Sequence, residues 1–470
     1  MKRCPLVFSS LTFIFYFLPI IIILYYSTKV QTIRNLVLIA GSLFFYGWGE
    51  PVWISLMVIS AILDFTCGQV IEKNRNNGWR HVGLLASVIV NLSFLGFFKY
   101  YGFLIENINF IFGLSLTVRE LSLPIGISFY TFQTMSYTID LYRGQAKVQN
   151  SFSKFLMYVT FFPQLVAGPI VRYVDIAAQI DNRRENFTQF SQGVTRFCTG
   201  LGKKVIIANM AGGLKGIFLD GNLNELTVVG AWVGILLFAF QIYFDFSGYS
   251  DMAIGLGMMF GFDFKENFNY PYISKSAGEF WRRWHMSLGS FFRDYVYIPL
   301  GGNRRKMMRN IIVVWFLTGL WHGASWNFIV WGMYYGFLIF LERKVYGKWL
   351  EKLPVLFQHL YLITVVLVGW VFFYYLDLST GLRFIGMMFG FGAAGIIDQL
   401  TVLQIQNNIL FIAFAIFMST PILYKIKSVF KARFENFNMD LHVIWNIALL
   451  AICTILLVGE SYNPFLYFRF

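Results

Sequence analysis

The chain has 470 residues, of which 57% are hydrophobic and only 13% are charged. A soluble chain carries about 25% charged residues, because its surface must face water. The composition therefore excludes a soluble globule and predicts an integral membrane protein. The net charge of +14 does not indicate nucleic-acid binding, because the Lys and Arg residues stand in short clusters between apolar runs, where membrane topology places them.

Apolar runs recur along the whole chain. A bilayer core about 30 Å thick needs roughly 20 residues of helix. Runs near this length lie at 6–27, 35–49, 52–71, 81–98, 121–139, 226–246, 355–376, 408–424 and 441–459, and a shorter one lies at 155–171. We expect an all-α protein with about ten to thirteen membrane helices in a single polytopic domain, residues 1–470.

The stretch 310–341 contains no charged residue. As one helix it would measure about 48 Å, which is too long for a single upright crossing. Gly319, Gly323 and Gly332 interrupt the stretch. This pattern predicts two spans or a broken helix.

Basic residues predict the orientation of the chain. Lys29 and Arg34 follow the first span, and three more basic residues follow the third, so these loops are expected in the cytoplasm. Lys425, Lys427, Lys431 and Arg433 mark a later cytoplasmic loop. One more span follows, so the tail 461–470 is expected outside.

Of the five histidines, His322 is the strongest catalytic candidate. It lies within an apolar run, thirteen residues or about 20 Å of helix beyond Arg309. An ionisable residue at that depth is costly and usually faces a cavity or an active centre. A neutral histidine bonded to a neighbouring carbonyl is the alternative. Gly323 is expected to leave room for a substrate, and the flanking Trp321 and Asn327 are candidate donor-binding residues.

A dense basic segment surrounds His285. Residues 276–309 hold seven basic residues against Glu279 and Asp294. Arginine binds phosphate oxygens in a bidentate manner, which suits the phosphates of coenzyme A or of a phosphopantetheine carrier. A solvated cytoplasmic loop is the alternative. The candidate donor-binding residues of this segment are Arg282, Arg283, Arg304, Arg305 and Lys306.

Four acids, Asp64, Asp140, Asp245 and Asp251, fall within or beside apolar runs. They could bond helix ends, orient a histidine or bind a cation, and we favour structural roles. The spacing of the four cysteines matches no metal site, so we expect neither a bound metal nor a bound cofactor.

Five segments in family order resemble the membrane-bound O-acyltransferase family. They read LPIGISFYTFQ at 123–133, FPQLVAGP at 162–169, YFDFSGYSD at 243–251, FWRRWHMSL at 280–288 with YIPLGGN at 297–303, and GLWHGASWN at 319–327. These core motifs span 123–332. The segments are most similar to the bacterial branch, which includes alginate and peptidoglycan O-acetyltransferases and the teichoic-acid D-alanyl transferase.

This resemblance implies a funnel of tilted helices around a central tunnel, with His322 as the catalytic histidine and His285 at the family's second key position. It also implies acyl transfer from a cytoplasmic thioester, most simply acetyl-CoA, to a polysaccharide outside the bacterial cytoplasmic membrane. Imidazole suits this reaction, because its ordinary pKa of about 6.5 leaves it unprotonated near neutral pH.

The closing sequence FLYFRF at 465–470 resembles an acyl-accepting tail, which implies that Tyr467 is an intermediate acceptor. A phenol has a pKa of about 10, so its ester is more activated than a sugar ester. An aromatic anchor at the membrane interface is the alternative. An extracytoplasmic SGNH-type transferase is the expected partner. D-alanyl transfer from a carrier protein, or transport without chemistry, remain rival functions.

Overall fold

The computed structural model describes residues 6–119, 121–166, 168–423, 425–426, 438–459 and 465–466. All regular secondary structure in these residues is helical, which confirms the predicted fold class. The helices of the first half are α1 (Phe13–Tyr26), α2 (Gln31–Gly49), α3 (Ile54–Lys73), α4 (Trp79–Phe112), α5 (Ile127–Tyr142), α6 (Phe152–Thr160), α7 (Phe162–Leu165), α8 (Tyr173–Asp181), α9 (Phe187–Gly202) and α10 (Asn209–Leu219).

The second half continues in the same manner. Its helices are α11 (Val228–Met259), α12 (Ala277–Arg283), α13 (Met286–Phe292), α14 (Met307–His322), α15 (Trp326–Leu341), α16 (Gly347–Leu350), α17 (Val355–Tyr374), α18 (Leu378–Met388), α19 (Gln399–Met418) and α20 (Asn438–Val458). Within the described residues, α3, α4, α11, α17 and α19 are long and apolar enough to cross a membrane, and two shorter apolar helices span Phe13–Tyr26 and His442–Val458.

Several of these helices expose large apolar side chains. On α19, Leu410 is 84% exposed and Ile409 is 52% exposed. A soluble protein rarely leaves such a face open to water, whereas lipid contact stabilises it. The chain is therefore a membrane protein, as its composition predicts. The total of ten to thirteen spans stays a prediction.

The described residues divide into two compact units. One holds residues from 1–201, 249–265 and 450–469, and the other holds residues from 202–248 and 266–449. The core of the first unit contains an aromatic cluster of Phe8, Phe13, Phe45 and Phe162. The second unit contains the segments around His285 and His322. The prediction of one polytopic domain stays a prediction.

In the second unit, the uncharged stretch 310–341 forms two helices, which confirms the predicted break. Gly323 has an extended conformation (φ −167°, ψ 155°) and ends α14. Gly319 and Gly332 instead remain helical. A Cβ atom on Gly319 would lie 2.4 Å from the Phe328 carbonyl oxygen, and one on Gly332 would lie 2.3 Å from that of Trp315. These two glycines therefore allow α14 and α15 to pack backbone against backbone, as small residues do in membrane proteins.

Candidate active site

His322 is the last residue of α14 and lies in an aromatic pocket of the second unit. Its side chain is only 3% exposed. The ring centroids of Trp331 and Phe373 lie 4.9 and 5.3 Å from that of His322, and the adjacent Trp321 ring lies at 4.9 Å. The helix ends here because Gly323 leaves the helical conformation. The imidazole is therefore held at a helix end, among rings that exclude water.

Gly323 packs closely against Phe328 beside His322. A Cβ atom at this position would lie 2.2 Å from two ring carbons of Phe328. Any larger residue would therefore displace Phe328, which packs in turn against Phe373 at 5.2 Å. Gly323 therefore has a packing role that shapes the pocket around His322, and its expected role in leaving room for a substrate stays a prediction.

His285 is held by polar contacts. It precedes α13 with a left-handed backbone (φ 44°), a conformation that is uncommon for residues other than glycine. Its side chain is 1% exposed. Its Nδ1 lies 3.1 Å from the Asn267 side-chain oxygen and 3.4 Å from the Ser287 hydroxyl. His285 Nε2 is buried and has no hydrogen-bond partner in the described part of the chain.

Burial lowers the pKa of His285 to about 3, because a charged imidazole cannot be hydrated there. The residue lies outside the five long apolar helices. The ring therefore stays neutral across the physiological pH range. A neutral imidazole with one nitrogen open can accept a proton or a hydrogen bond.

The structure brings the two predicted catalytic histidines to one tryptophan. The Trp321 ring centroid lies 5.9 Å from that of His285 and 4.9 Å from that of His322. Phe246 packs edge-on against His285 at 4.7 Å. Thus Trp321, a predicted residue for binding the acyl donor, contacts two buried imidazoles that are 37 residues apart in the sequence.

Further buried hydrogen-bond donors lie in the aromatic cluster beside His322. Trp331 contacts the rings of Trp281 and Tyr335 at 5.3 and 5.5 Å. The indole nitrogens of Trp281 and Trp331 and the Tyr335 hydroxyl are buried, and none has a hydrogen-bond partner among the described residues. Buried polar groups are normally paired with protein, water or a ligand. This aromatic cluster therefore offers donors that a bound substrate could satisfy.

The predicted basic residues lie at the surface. Arg304, Arg305 and Lys306 are exposed in the loop before α14, and no ion pair of theirs occurs within the described ranges. Arg282 is also exposed, whereas Arg283 pairs with Glu279 at 3.0 Å. Unlike the two histidines, these side chains are not buried. Their role as phosphate ligands stays a prediction.

Asn327 holds two helices together. It is fully buried, and its side-chain nitrogen donates to the Phe372 carbonyl at 2.9 Å, while its oxygen accepts from the Ser325 hydroxyl. These contacts fix the start of α15 to α17. Asn327 therefore has a structural role, and its predicted contact with the acyl donor stays a prediction.

Tyr467, the predicted acyl acceptor, lies outside the described residues. Nearby, Phe465 is 2% exposed and stacks obliquely on Tyr249 at 4.8 Å within the first unit.

The buried acids have structural partners. In the second unit, Asp245 forms an ion pair with Lys204, and both side chains are buried. In the first unit, Asp251 pairs with Arg196 at 2.7 Å. No group of three His, Cys, Asp or Glu residues that could hold a metal ion occurs in the part of the chain that the structure describes. These pairs are consistent with the structural roles favoured for the acids.

Asn267 and Ser287 are among the site residues that could not be selected from the sequence, together with Trp281, Trp331, Tyr335 and Phe373. Asn267 stands eighteen residues before His285, in the polar run ENFN at 266–269. No helical or strand periodicity relates it to His285, so only the folded loop reveals the contact. Its position shortly before the aromatic segment 268–272, which contains Pro271, is the only signal that the sequence offers.

A helical membrane protein with two buried histidines in an apolar pocket is suited to acyl transfer away from water. A model of the membrane-bound O-acyltransferase family matches residues 143–389. The chain is 39% identical to a probable alginate O-acetylase of Pseudomonas putida over 99% of this chain and 100% of that protein. It is 34% identical to a peptidoglycan O-acetyltransferase of Helicobacter pylori over 82% of this chain and 80% of the relative. It is 31% identical to a teichoic acid D-alanyltransferase of Bacillus subtilis over 48% and 60% of the two chains.

The chain therefore belongs to the membrane-bound O-acyltransferase family, and it is an enzyme that transfers acyl groups. This result confirms the resemblance drawn from the five sequence segments. It also removes the alternative of a transporter without chemistry.

Proposed function

We propose that this enzyme transfers acetyl groups from cytoplasmic acetyl-CoA to a polysaccharide outside the bacterial inner membrane. Similarity to an alginate O-acetylase extends over 99% of the chain, whereas similarity to a D-alanyltransferase covers 48%. The full-length similarity supports acetyl over D-alanyl as the group that is transferred.

The observation that carries this proposal is the pair of buried histidines whose rings both pack against Trp321. In the proposed reaction, His322 takes the proton of the acceptor hydroxyl as that oxygen attacks the thioester carbonyl. The carbon–sulfur bond then breaks, and the proton passes to the departing thiolate. His285 contributes a second imidazole at 5.9 Å from Trp321. The surrounding rings keep water from hydrolysing the donor.

The phosphopantetheine arm of the acyl donor is proposed to bind in the aromatic cluster beside His322. A phosphopantetheine arm carries amide carbonyls, which accept hydrogen bonds. The buried donors of Trp281, Trp331 and Tyr335 could bind them, since none has a partner in the described ranges. The exposed Arg304, Arg305 and Lys306 would bind the phosphates at the surface.

Choice of donor is the direct test of this function. Inside-out membrane vesicles that contain the protein are given acetyl-labelled acetyl-CoA or a D-alanyl-loaded carrier protein. We expect label to enter the protein or an added polysaccharide acceptor only from acetyl-CoA. Transfer from the D-alanyl carrier alone would establish the rival function, and transfer from neither would refute both.

The tail completes the proposed route to the outside. Acetyl on Tyr467 is an activated aryl ester that a partner transferase, such as an SGNH-type enzyme, could pass to the polymer. This step carries its own prediction. Tyr467→Phe removes one oxygen and keeps the ring, so we expect normal protein levels and loss of polymer acetylation.

Mass spectrometry of the wild-type tail provides the second measurement. An acetyl adduct on Tyr467 should accumulate when the downstream transferase gene is deleted, and Tyr462→Phe is the matched control that should retain it. Full polymer acetylation in the Tyr467→Phe variant would reduce the tail to an anchor, without touching the roles of the histidines.

A further inference from the structure

We propose that Asn267 is a positioning residue that fixes His285 in one tautomer, with the proton on Nδ1 and a lone pair on Nε2. The consequence is that His285 acts in the reaction as an acceptor and not as a hydrogen-bond donor. This inference deepens the proposed function. The tautomer itself is argued from the hydrogen bonds, and only the use of the Nε2 lone pair in acyl transfer rests on the proposed function.

The first step is the identity of the Asn267 atom that faces His285. Oxygen and nitrogen of an amide are assigned from their hydrogen bonds. The backbone N–H of Ser287, which can only donate, lies 3.2 Å from the Asn267 oxygen, and the Ser287 hydroxyl donates to the same oxygen at 2.9 Å. The atom at this position must therefore be an acceptor, so it is the carbonyl oxygen.

The second step follows from that assignment. The same Asn267 oxygen lies 3.1 Å from His285 Nδ1. An amide oxygen cannot donate, so the contact is a hydrogen bond only if Nδ1 carries the proton. A neutral imidazole has one N–H, and Nε2 is then left with its lone pair.

The backbone holds this arrangement in place. The Met286 N–H donates to the Asn267 carbonyl at 2.9 Å, and the Asn269 N–H donates to the Arg283 carbonyl at 2.9 Å. These two bonds tie the segment that carries Asn267 to both sides of His285, whose φ of 44° is otherwise unfavourable. The tautomer is therefore set by a clamp that uses both the side chain and the backbone of Asn267.

The last step concerns Nε2 itself. This nitrogen is buried and has no partner within the described residues. Its lone pair can accept a hydrogen bond from another N–H or O–H group of the bound substrates and so orient them, because the proton of the attacking hydroxyl goes to His322. It cannot stabilise a developing oxyanion, because that requires an N–H. The oxyanion must then be stabilised by other donors.

Nitrogen NMR on the full-length protein, labelled with ¹⁵N-histidine in detergent or lipid, tests the tautomer directly. Protonated and unprotonated ring nitrogens differ widely in ¹⁵N chemical shift, and loss of one signal set in His285→Gln assigns the residue. We expect a single neutral form with the proton on Nδ1 in the wild type. A proton on Nε2, or an even mixture of the two forms, would overturn the proposal.

Variants of Asn267 extend the test. In Asn267→Ala, His285 should populate both neutral tautomers. The rate of acetyl transfer should fall about tenfold, as expected for one lost hydrogen bond. Asn267→Asp keeps an acceptor but adds a negative charge, so the His285 protonation midpoint and the acid limb of the pH–rate profile should move to higher pH. Ser287→Ala is the matched control, because it removes a donor to the same oxygen and should leave the Nδ1 tautomer intact.

An unchanged His285 tautomer in Asn267→Ala, together with an unmoved pH profile in Asn267→Asp, would make Asn267 merely structural. The NMR measurement uses no acyl donor, so its outcome is independent of the proposed function. A correct tautomer in a protein that transfers no acetyl from acetyl-CoA would refute the function alone.

Discussion

Two buried polar clusters use their hydrogen-bonding atoms in opposite ways. In the first unit, Asp64 lies on α3, and its carboxylate accepts from the Ser87 hydroxyl at 2.5 Å and from the Asn91 side chain at 3.0 and 2.8 Å. Ser87 also bonds Thr138, and Ser60 bonds Asn91. In the second unit, one nitrogen of His285 is clamped and the other has no partner among the described residues.

The difference indicates which buried polar group is structural. A carboxylate whose oxygens are both bonded holds helices together, since interhelical hydrogen bonds of this kind stabilise membrane bundles. An imidazole that is oriented on one side and open on the other leaves a site for a substrate. Loss of a group should therefore reduce stability in the first cluster and activity in the second.

The largest expected effect is on catalysis. His322→Gln and His285→Gln should each lower acetyl transfer by about 100-fold or more, because a positioned acid–base group typically contributes that much. Folded yield, measured by size-exclusion chromatography in detergent, should stay near that of the wild type. His359→Gln, on α17, is the matched control and should remain active.

Near-normal transfer per folded molecule in His322→Gln would remove that residue from its role as the base. A loss of folded protein in both variants would instead make the pocket structural, and the contrast with the Asp64 cluster would disappear.

Next in size is the effect on stability. Asp64→Ala leaves the Ser87 hydroxyl and the Asn91 amide with fewer partners, and each unsatisfied buried group costs about 1–3 kcal/mol. We expect a lower melting temperature and lower yield, with transfer per folded molecule within about twofold of the wild type. Asp64→Asn keeps one acceptor oxygen and should be milder. A stable but inactive Asp64→Ala protein would give the first unit a catalytic role.

A smaller effect is expected at the surface. Replacing Arg304, Arg305 and Lys306 with Gln should raise KM for acetyl-CoA roughly threefold to tenfold and leave kcat nearly unchanged, because only ground-state binding is lost. The wild-type KM should also rise with added salt. Lys147→Gln, another exposed basic residue, is the control. An unchanged KM would leave the segment as a topology signal.

The smallest effect concerns pH and stability. Burial holds the pKa of His285 at about 3, below its unfolded value of about 6.5. Between these values the unfolded chain binds the extra proton, so the free energy of unfolding falls as the pH is lowered from about 7 to 5. The melting temperature should drop a few degrees more in the wild type than in His285→Gln. The exposed His81 serves as the control, since His81→Gln should behave as the wild type.

Much of the architecture could be predicted from the sequence. A low share of charged residues and repeated apolar runs require lipid, and lipid requires helices that satisfy their own backbone groups. The uncharged stretch 310–341 is too long for one crossing, and the predicted break is confirmed, with its position at Gly323 given by the structure. The close helix packing at Gly319 and Gly332 could not be predicted, because the sequence of one helix does not show which part of another helix packs against it.

For the catalytic candidates too, the sequence indicates the residues and the tertiary structure shows their contacts. His322 could be selected from the sequence because an ionisable residue among apolar neighbours is costly, whereas His285 is selected through the resemblance of its segment to the family's second key position. Only the tertiary structure shows that both histidines contact Trp321 and that Asn327 donates to the Phe372 carbonyl. It also decides that both Asp64 oxygens are hydrogen-bonded, whereas one nitrogen of His285 has no partner among the described residues. Hydrogen bonds between residues far apart in the chain follow no periodicity, so whether a buried polar atom has a partner depends on which loops and helices the fold brings together.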